Sequence, residues 1–230
     1  MKIAIISNSH AGALKKAWEI LRFDNSDIEI DFYAAAGKLM RDFKIQGREF
    51  SSENQKLLDS IRFTSGGKNS LYIDHYDIFL LYGMDAGQYI YREIFYSYDF
   101  KNYFLNKLAS KSTSWSVFEQ LVSATDKKIF LGHNPLLAKE RKNTRDESAY
   151  VKGIALINEF VYSKFGAEMI TQPTETIANG VNTAIEYSLN SEKLDVGKKV
   201  DDKFHDSSDM SHMNTDFGLL YLESFIRHIR

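Results

Sequence analysis

The side chains best suited to nucleophilic catalysis lie near the two ends of the chain. Ser9 follows the apolar stretch Lys2–Ser7, whereas Asp209 and His212 stand in the sequence DMSH shortly before the last apolar segment. A serine hydroxyl is a weak nucleophile at neutral pH and needs a base, commonly a histidine oriented by a carboxylate. Of the six histidines, His212 is the one that combines an aspartate three residues earlier with a predicted helix directly after it. These residue types and positions predict a Ser-His-Asp triad.

The loop that carries Ser9 is also compatible with other roles. It contains neither the GxGxxG nor the GxxxxGK[ST] spacing, which argues against a nucleotide-phosphate site. A serine at the start of a helix often does no more than cap it. In the catalytic interpretation, the helix dipole and the N–H groups of the first turn would stabilise an oxyanion formed at Ser9. His10, directly after it, is expected either to contact substrate or to be a solvated side chain.

The elements that must position these residues alternate between strands and helices. Short apolar or β-branched runs predict strands at 2–7, 27–36, 76–82, 128–132 and 167–171, with a hairpin over 60–76. Apolar residues at helical spacing predict helices within 11–22, 99–123, 148–165 and 214–229. This alternation predicts one domain over residues 1–230, a doubly wound three-layer α/β sandwich around a mainly parallel, five-stranded sheet. Ligands of such sheets bind at the carboxyl ends of the strands, so the triad is expected there.

Two motifs at matching element ends resemble a known family. The sequence NSH at 8–10, followed by Ala-Gly, and the DxxH from Asp209 to His212 are similar to those of SGNH (GDSL-like) hydrolases, in the form found in bacterial members. The order of elements matches over nearly the whole chain. The resemblance implies the flavodoxin-like SGNH hydrolase fold, Ser9 as nucleophile, and Gly37 as an oxyanion donor. It also implies an acyl-enzyme mechanism that needs no cofactor, by which the enzyme removes a small acyl group such as acetyl from a carbohydrate.

One position departs from the family pattern. The family has Gly-x-Asn after the third main strand, and its Asn donates a hydrogen bond to the oxyanion. Here that place reads Gly83-Met84-Asp85, and an ionised Asp85 cannot donate and would repel an oxyanion. Either Asp85 is protonated or another donor replaces it. Asn134, after the next strand, is the candidate substitute.

Three other functions remain open at this level. The same triad would serve a polysaccharide O-acetyltransferase, in which a sugar hydroxyl replaces water as acceptor. A non-catalytic binding domain with the same fold is a second alternative, and Asp85 is its main support. His205, Asp206, Asp209 and His212 also form a cluster of metal-ligand types, although metal phosphohydrolases need further ligands on other helices, and we predict no metal.

The composition of the chain limits the classes of partner and the compartment that we expect. The net charge is -2, from 29 basic and 31 acidic side chains, so we expect no nucleic-acid partner, and the mixed-charge run 139–145 is expected to be a solvated surface. There is no cysteine, and no run approaches the roughly 18 apolar residues of a membrane helix. We therefore expect a cytoplasmic protein without membrane insertion. The aromatic stretch 88–104 is expected to pack in the core or in an interface such as a homodimer.

Overall fold

A computed structural model describes residues 1–68, 70–85, 97–140, 148–197 and 203–230. The strands are β1 Lys2–Ser7, β2 Glu29–Ala34, β3 Lys44–Gln46, β4 Glu49–Ser51, β5 Ile78–Tyr82, β6 Lys128–Gly132, β7 Ala138–Lys139, β8 Glu168–Ile170, β9 Ile177–Ala178 and β10 Asn182–Ala184. The α-helices are α1 Ala11–Leu21, α2 Gln55–Thr64, α3 Tyr98–Ala109, α4 Thr113–Ala124, α5 Ser148–Ile157 and α6 Thr215–Ile229. Single turns of 3-10 and π-helix extend or connect several of these.

The central sheet has the order β2-β1-β5-β6-β8, and all of its strands are parallel. Ser7 at the end of β1 pairs with Ala34 of β2 and Tyr82 of β5, and Tyr82 pairs with Gly132 of β6. The carboxyl ends of these strands are therefore level. The predicted three-layer, flavodoxin-like α/β architecture with five strands is confirmed.

Alternation along the strands sends side chains into two cores, one on each face of the sheet. On β1, for example, Ile3 and Ile5 face one core and Ala4 and Ile6 face the other, and all four are fully buried. The first core is completed by α1 and α6, whereas α2, α4 and α5 cover the opposite face. This burial on both faces explains the continuous apolar runs from which the strands were predicted.

Helices α1 and α6 approach each other closely because of one glycine. A methyl group placed on Gly218 of α6 would lie 2.2 Å from the carbonyl oxygen of Ala13 in α1. Asn214 caps α6 by accepting a hydrogen bond from the backbone N–H of Phe217 at 3.1 Å. The residues before α6, which include His212, are thereby fixed against the helix that begins after Ser9. Within the described ranges, no helix combines the length and apolarity needed to cross a membrane.

The predicted hairpin over 60–76 is wrong. Residues Gln55–Thr64 form α2, with Asn54 as N-cap and with Leu57, Ile61 and Thr64 buried at helical spacing. The stretch SIRFT resembles a strand in isolation, but its apolar positions continue the helical face that begins at Leu57. The glycines that suggested a hairpin turn instead follow the end of this helix, where both Gly66 and Gly67 have positive φ.

Two predictions concern stretches that fall partly outside the described residues. Of the aromatic stretch 88–104, residues 88–96 lie outside them, and so do 141–145 of the charged run 139–145. On the described first turns of α3, Tyr98, Phe100, Tyr103 and Phe104 are all exposed. These four side chains therefore do not form part of either core.

At one edge of the sheet, no strand among the described residues pairs with the outer side of β8. The side chain of Asn158, in the π-helical turn after α5, takes the place of a neighbouring strand there. Its amide oxygen accepts from the Met169 backbone N–H at 2.6 Å, and its amide nitrogen donates to the Met169 carbonyl at 2.9 Å. Both outward backbone groups of Met169 are thus paired.

Candidate active site

Ser9 lies in the tight connection between β1 and α1. Asn8 shapes this connection, since its side-chain oxygen accepts from the His10 N–H at 3.0 Å and its carbonyl accepts from the Ala11 N–H at 3.1 Å. Ser9 is partly exposed at the carboxyl end of β1 and at the N-terminus of α1. This position exposes the hydroxyl at the sheet edge where ligands of such folds bind.

Asp209 and His212 come to the same place on a segment that is irregular where the structure describes it, at 188–197 and 203–214. Hydrogen bonds hold this segment to the rest of the protein between the two residues and after them. The Ala138 N–H donates to the carbonyl of Met210 at 2.8 Å, and the Asn214 N–H donates to the carbonyl of Tyr187 at 2.7 Å. Backbone anchoring of this kind replaces the rigidity that a helix or strand would give to the site.

The three side chains of the predicted triad form one hydrogen-bonded chain. The Ser9 hydroxyl lies 2.9 Å from His212 Nε2, and His212 Nδ1 lies 2.7 Å from Asp209 Oδ2. With the imidazole proton on Nδ1, His212 donates to Asp209 and its Nε2 accepts from Ser9. These are the distances and the order of groups that a general base needs to take a proton from a serine.

The carboxylate of Asp209 is kept ionised by its hydrogen bonds. Oδ1 accepts from the backbone N–H and the hydroxyl of Ser211, at 2.8 and 2.7 Å, and from the backbone N–H of His212 at 3.2 Å. Burial alone would raise the pKa of Asp209, but the hydrogen bonds from Ser211 and His212 outweigh burial and hold the pKa well below its usual range. Asp209 is therefore a charged acceptor that orients His212.

His10 packs against the triad histidine. Its ring stacks on that of His212 with centroids 4.7 Å apart. Burial, together with a smaller effect of the nearby His212, lowers the pKa of His10 to about 3, so the ring is uncharged at neutral pH. A methyl group on Gly83 would lie 2.7 Å from the His10 Cβ, so the glycine makes room for this ring. His10 is thus partly buried against His212 rather than fully solvated, and its contact with substrate stays a prediction.

His205, which the sequence analysis considered only as a member of the metal-ligand cluster, is a neighbour of the site. Its ring lies on the other face of His212, nearly parallel to it, with centroids 3.8 Å apart. Its Nδ1 is 3.3 Å from Asp209 Oδ2. The signal available in the sequence was its i, i+4 spacing to Asp209, which the hypothesis of a metal cluster used but the triad hypothesis did not.

The metal hypothesis has a partial geometric basis. Donor atoms of His205, Asp209 and His212 all lie within 4.8 Å of one another. Asp206 is turned away from them, since its carboxylate accepts from the backbone N–H and hydroxyl of Ser208 at 2.8 and 2.6 Å. A metal bound to Asp209 and His212 would have to displace the proton that now joins them at 2.7 Å. The hydrogen bond between Asp209 and His212 therefore competes with a metal for the same atoms.

The residues predicted to form the oxyanion site follow three different strands of the sheet. Gly37 lies in an exposed turn after β2 with a φ of 64°, a conformation that favours glycine. Asp85 is 1% exposed, and its backbone N–H donates to the side-chain oxygen of Asn134 at 3.0 Å. That bond leaves the NH2 group of Asn134 as the part that can donate. Participation of Gly37, Asp85 and Asn134 in catalysis stays a prediction.

Comparisons with known proteins add little to this geometry. No protein-family model matches the chain, and no curated protein matches it. Among solved structures, the chain is similar to one described as BT4096, a gut microbial diltiazem-metabolizing enzyme, with 13% identity and a TM-score of 0.35. That similarity covers 74% of this chain and 36% of the other. The function must therefore be argued from the site itself.

Proposed function

We propose that this protein is a serine-dependent acyl ester hydrolase that uses Ser9, His212 and Asp209 as a catalytic triad. The observation that carries the proposal is the continuous chain of hydrogen bonds from Ser9 through His212 to Asp209, at 2.9 and 2.7 Å. Asp209 is also in the charge state that its role requires, because its hydrogen bonds keep it ionised.

Acylation begins when the Ser9 Oγ attacks the ester carbonyl. The hydroxyl proton passes to His212 Nε2, and the carbonyl oxygen becomes an oxyanion. Asp209, bonded to Nδ1, stabilises the imidazolium that results. Collapse of the tetrahedral intermediate breaks the bond to the alcohol, which leaves with the proton from His212 Nε2, and the acyl group remains on Ser9.

Deacylation repeats these steps with water. His212 Nε2 takes a proton from a water molecule as that water attacks the acyl carbonyl. The second tetrahedral intermediate collapses, the carboxylic acid departs, and the proton returns from His212 to the Ser9 oxygen. The cycle consumes one water molecule and requires no redox change or additional cofactor.

The oxyanion would form beside the start of α1. The backbone N–H of Ser9 stands at the positive end of that helix dipole. We propose the N–H of Gly37 as a second donor and the NH2 group of Asn134 as a third. Asn134 would then supply the donor that Asp85, in the position of the family asparagine, does not supply when ionised.

We further propose a substrate in which a small acyl group is esterified to a hydroxyl of a carbohydrate. This choice of acyl group and alcohol is supported by the resemblance of the NSH and DxxH motifs to those of SGNH hydrolases. An acetylated oligosaccharide is therefore the first natural substrate class to test. The same acyl-enzyme could also pass its acetyl group to a sugar hydroxyl, and analysis of the products separates this from hydrolysis.

The experiment is turnover of p-nitrophenyl acetate by the wild type and by Ser9→Ala and His212→Ala. Both variants should lose activity, while His228→Ala, altered at an exposed histidine on the last turn of α6, should retain it. Equal turnover by the wild type and both triad variants would refute the assignment. A fluorophosphonate probe that labels the wild type but not Ser9→Ala would support it. Failure to label the wild type would favour the non-catalytic binding domain.

A further inference from the structure

The ring of His212 lies between two other imidazole rings. His205 stacks on one face, with centroids 3.8 Å apart and planes 9° from parallel, and His10 stacks on the opposite side, at 4.7 Å and 28°. His212 itself belongs to the irregular stretch 205–214, and the helix that follows it, α6, begins only at Thr215. Its orientation must therefore come from side-chain contacts.

The backbone that carries His205 is fixed against the nucleophile's own helix. The His205 N–H donates to the carbonyl of Ser191 at 2.9 Å, and Glu192 forms a β-bridge with Phe204. The same segment rests on the first turn of α1, because a methyl group on Gly12 would lie only 3.0 Å from the carbonyl oxygen of Glu192. The position of His205 is thus tied to the helix that begins after Ser9.

A hydrogen bond at Nδ1 also constrains the ring of His212. The bond from Nδ1 to Asp209 fixes one corner of the ring, but it leaves the ring able to turn about that corner and to move Nε2 away from Ser9. Rings on both faces oppose that rotation by van der Waals contact. Because His10 is uncharged, it does so without repelling the imidazolium that forms during proton transfer.

We propose that His205 is a positioning residue for the triad: its ring, with that of His10 opposite, holds the plane of His212 so that Nε2 faces the Ser9 hydroxyl. The inference rests on the proposed function and extends it by a fourth side chain. The flat ring of His205 supplies the positioning, and its Nδ1 lies 3.3 Å from Asp209 Oδ2, an electrostatic contact with the same carboxylate.

Three substitutions separate the ring from the nitrogen. His205→Phe keeps a flat ring and removes the nitrogen, His205→Asn keeps a polar group and removes the ring, and His205→Ala removes both. We expect His205→Ala and His205→Asn to lower kcat on the order of tenfold with little change in KM, since orientation acts on proton transfer. His205→Phe should restore most of kcat. His228→Ala is the control for loss of a histidine elsewhere.

A spectroscopic readout keeps this proposal separate from the hydrolase assignment. In isotope-labelled protein, the low-field Nδ1 proton of His212 should be sharp in the wild type and in His205→Phe, and broadened or lost in His205→Ala. If the wild type hydrolyses no ester, the proposed function fails, yet this signal still decides the positioning role. Unchanged kcat, KM and proton signal in His205→Ala would overturn it, and so would failure of Phe to restore a loss.

Discussion

The Ser9 Oγ and His212 Nε2 lie 2.9 Å apart, although 203 positions separate the two residues in the chain. Two features produce this proximity. Parallel strands bring the end of β1 to the common carboxyl edge of the sheet, and the close packing of α6 on α1 brings the start of α6 to the start of α1. Ser9 precedes α1 and His212 precedes α6, so the same helix pair positions both.

Asp209→Asn should abolish most activity without unfolding the protein. An asparagine of the same shape would keep a hydrogen bond to His212 but would lack the charge that stabilises the imidazolium and would favour the wrong tautomer. We expect kcat to fall on the order of ten-thousandfold, as for the equivalent change in serine proteases. Steady-state kinetics with p-nitrophenyl acetate measure this, and thermal unfolding verifies that the fold is retained. A kcat within tenfold of the wild type would contradict the role of Asp209.

Asn134 offers a matched test of the oxyanion site. Asn134→Asp keeps an oxygen that can accept from the Asp85 N–H but removes the NH2 donor, whereas Asn134→Ala removes both. If the NH2 group holds the oxyanion, both variants should lower kcat about a hundred- to thousandfold. A loss confined to Asn134→Ala would instead show that Asn134 serves only to hold Asp85.

Stability should decline in mild acid because two histidines are buried without charge. Burial lowers the pKa of His10 to about 3 and that of His133 to about 4, although a hydrogen bond to the Asn134 carbonyl partly opposes the shift in His133. Between these values and an ordinary histidine pKa of about 6.5, the unfolded chain binds protons that the native protein does not. Each group should therefore remove up to about 1.4 kcal/mol of unfolding free energy per pH unit as the pH falls through that window.

Urea unfolding at pH 7.5, 6.5 and 5.5, values chosen to bracket about 6.5, measures this loss. Histidine resonances followed in the native protein should show no titration of His10 and His133 across the same range. A protonation midpoint near 6.5 for either residue would contradict the explanation. Asp209 adds to the effect only at lower pH. Because its pKa is lower in the native protein than in the unfolded chain, the ionised carboxylate stabilises the native state above the ordinary aspartate pKa range, and this stabilisation is lost as the pH falls below that range.

Gly218→Ala should destabilise the protein even though alanine is the better helix former. The new methyl group would lie 2.2 Å from the Ala13 carbonyl oxygen, so α6 must move away from α1. Overpacking usually costs about 1–3 kcal/mol, and a helix-propensity gain of about 1 kcal/mol offsets part of this, so we expect a net loss of up to about 2 kcal/mol. Calorimetry compares this variant with Glu223→Ala, an exposed site on the same helix. Equal stability of the two variants would show that the helices tolerate separation.

The sheet and the triad residues were predictable from sequence because their signals are local. Buried parallel strands read as short apolar runs, and Ser9, Asp209 and His212 belong to compact motifs at element ends. The helix α2 was missed because Ser60–Thr64 has strand-like composition, and only the more distant Leu57 reveals its helical period. The stacking of His205 on His212 depends on the path of an irregular segment, for which no periodic pattern exists.

The amide of Asn158 has a consequence for how copies of this protein meet in solution. A free sheet margin attracts strands from other molecules, and such pairing leads to open-ended assemblies. At β8 the outward groups of Met169 are already bonded to Asn158, so an incoming strand would have to break two hydrogen bonds before it formed any. One side chain thereby keeps this margin from acting as a template for aggregation and favours a protein that stays dispersed at high concentration.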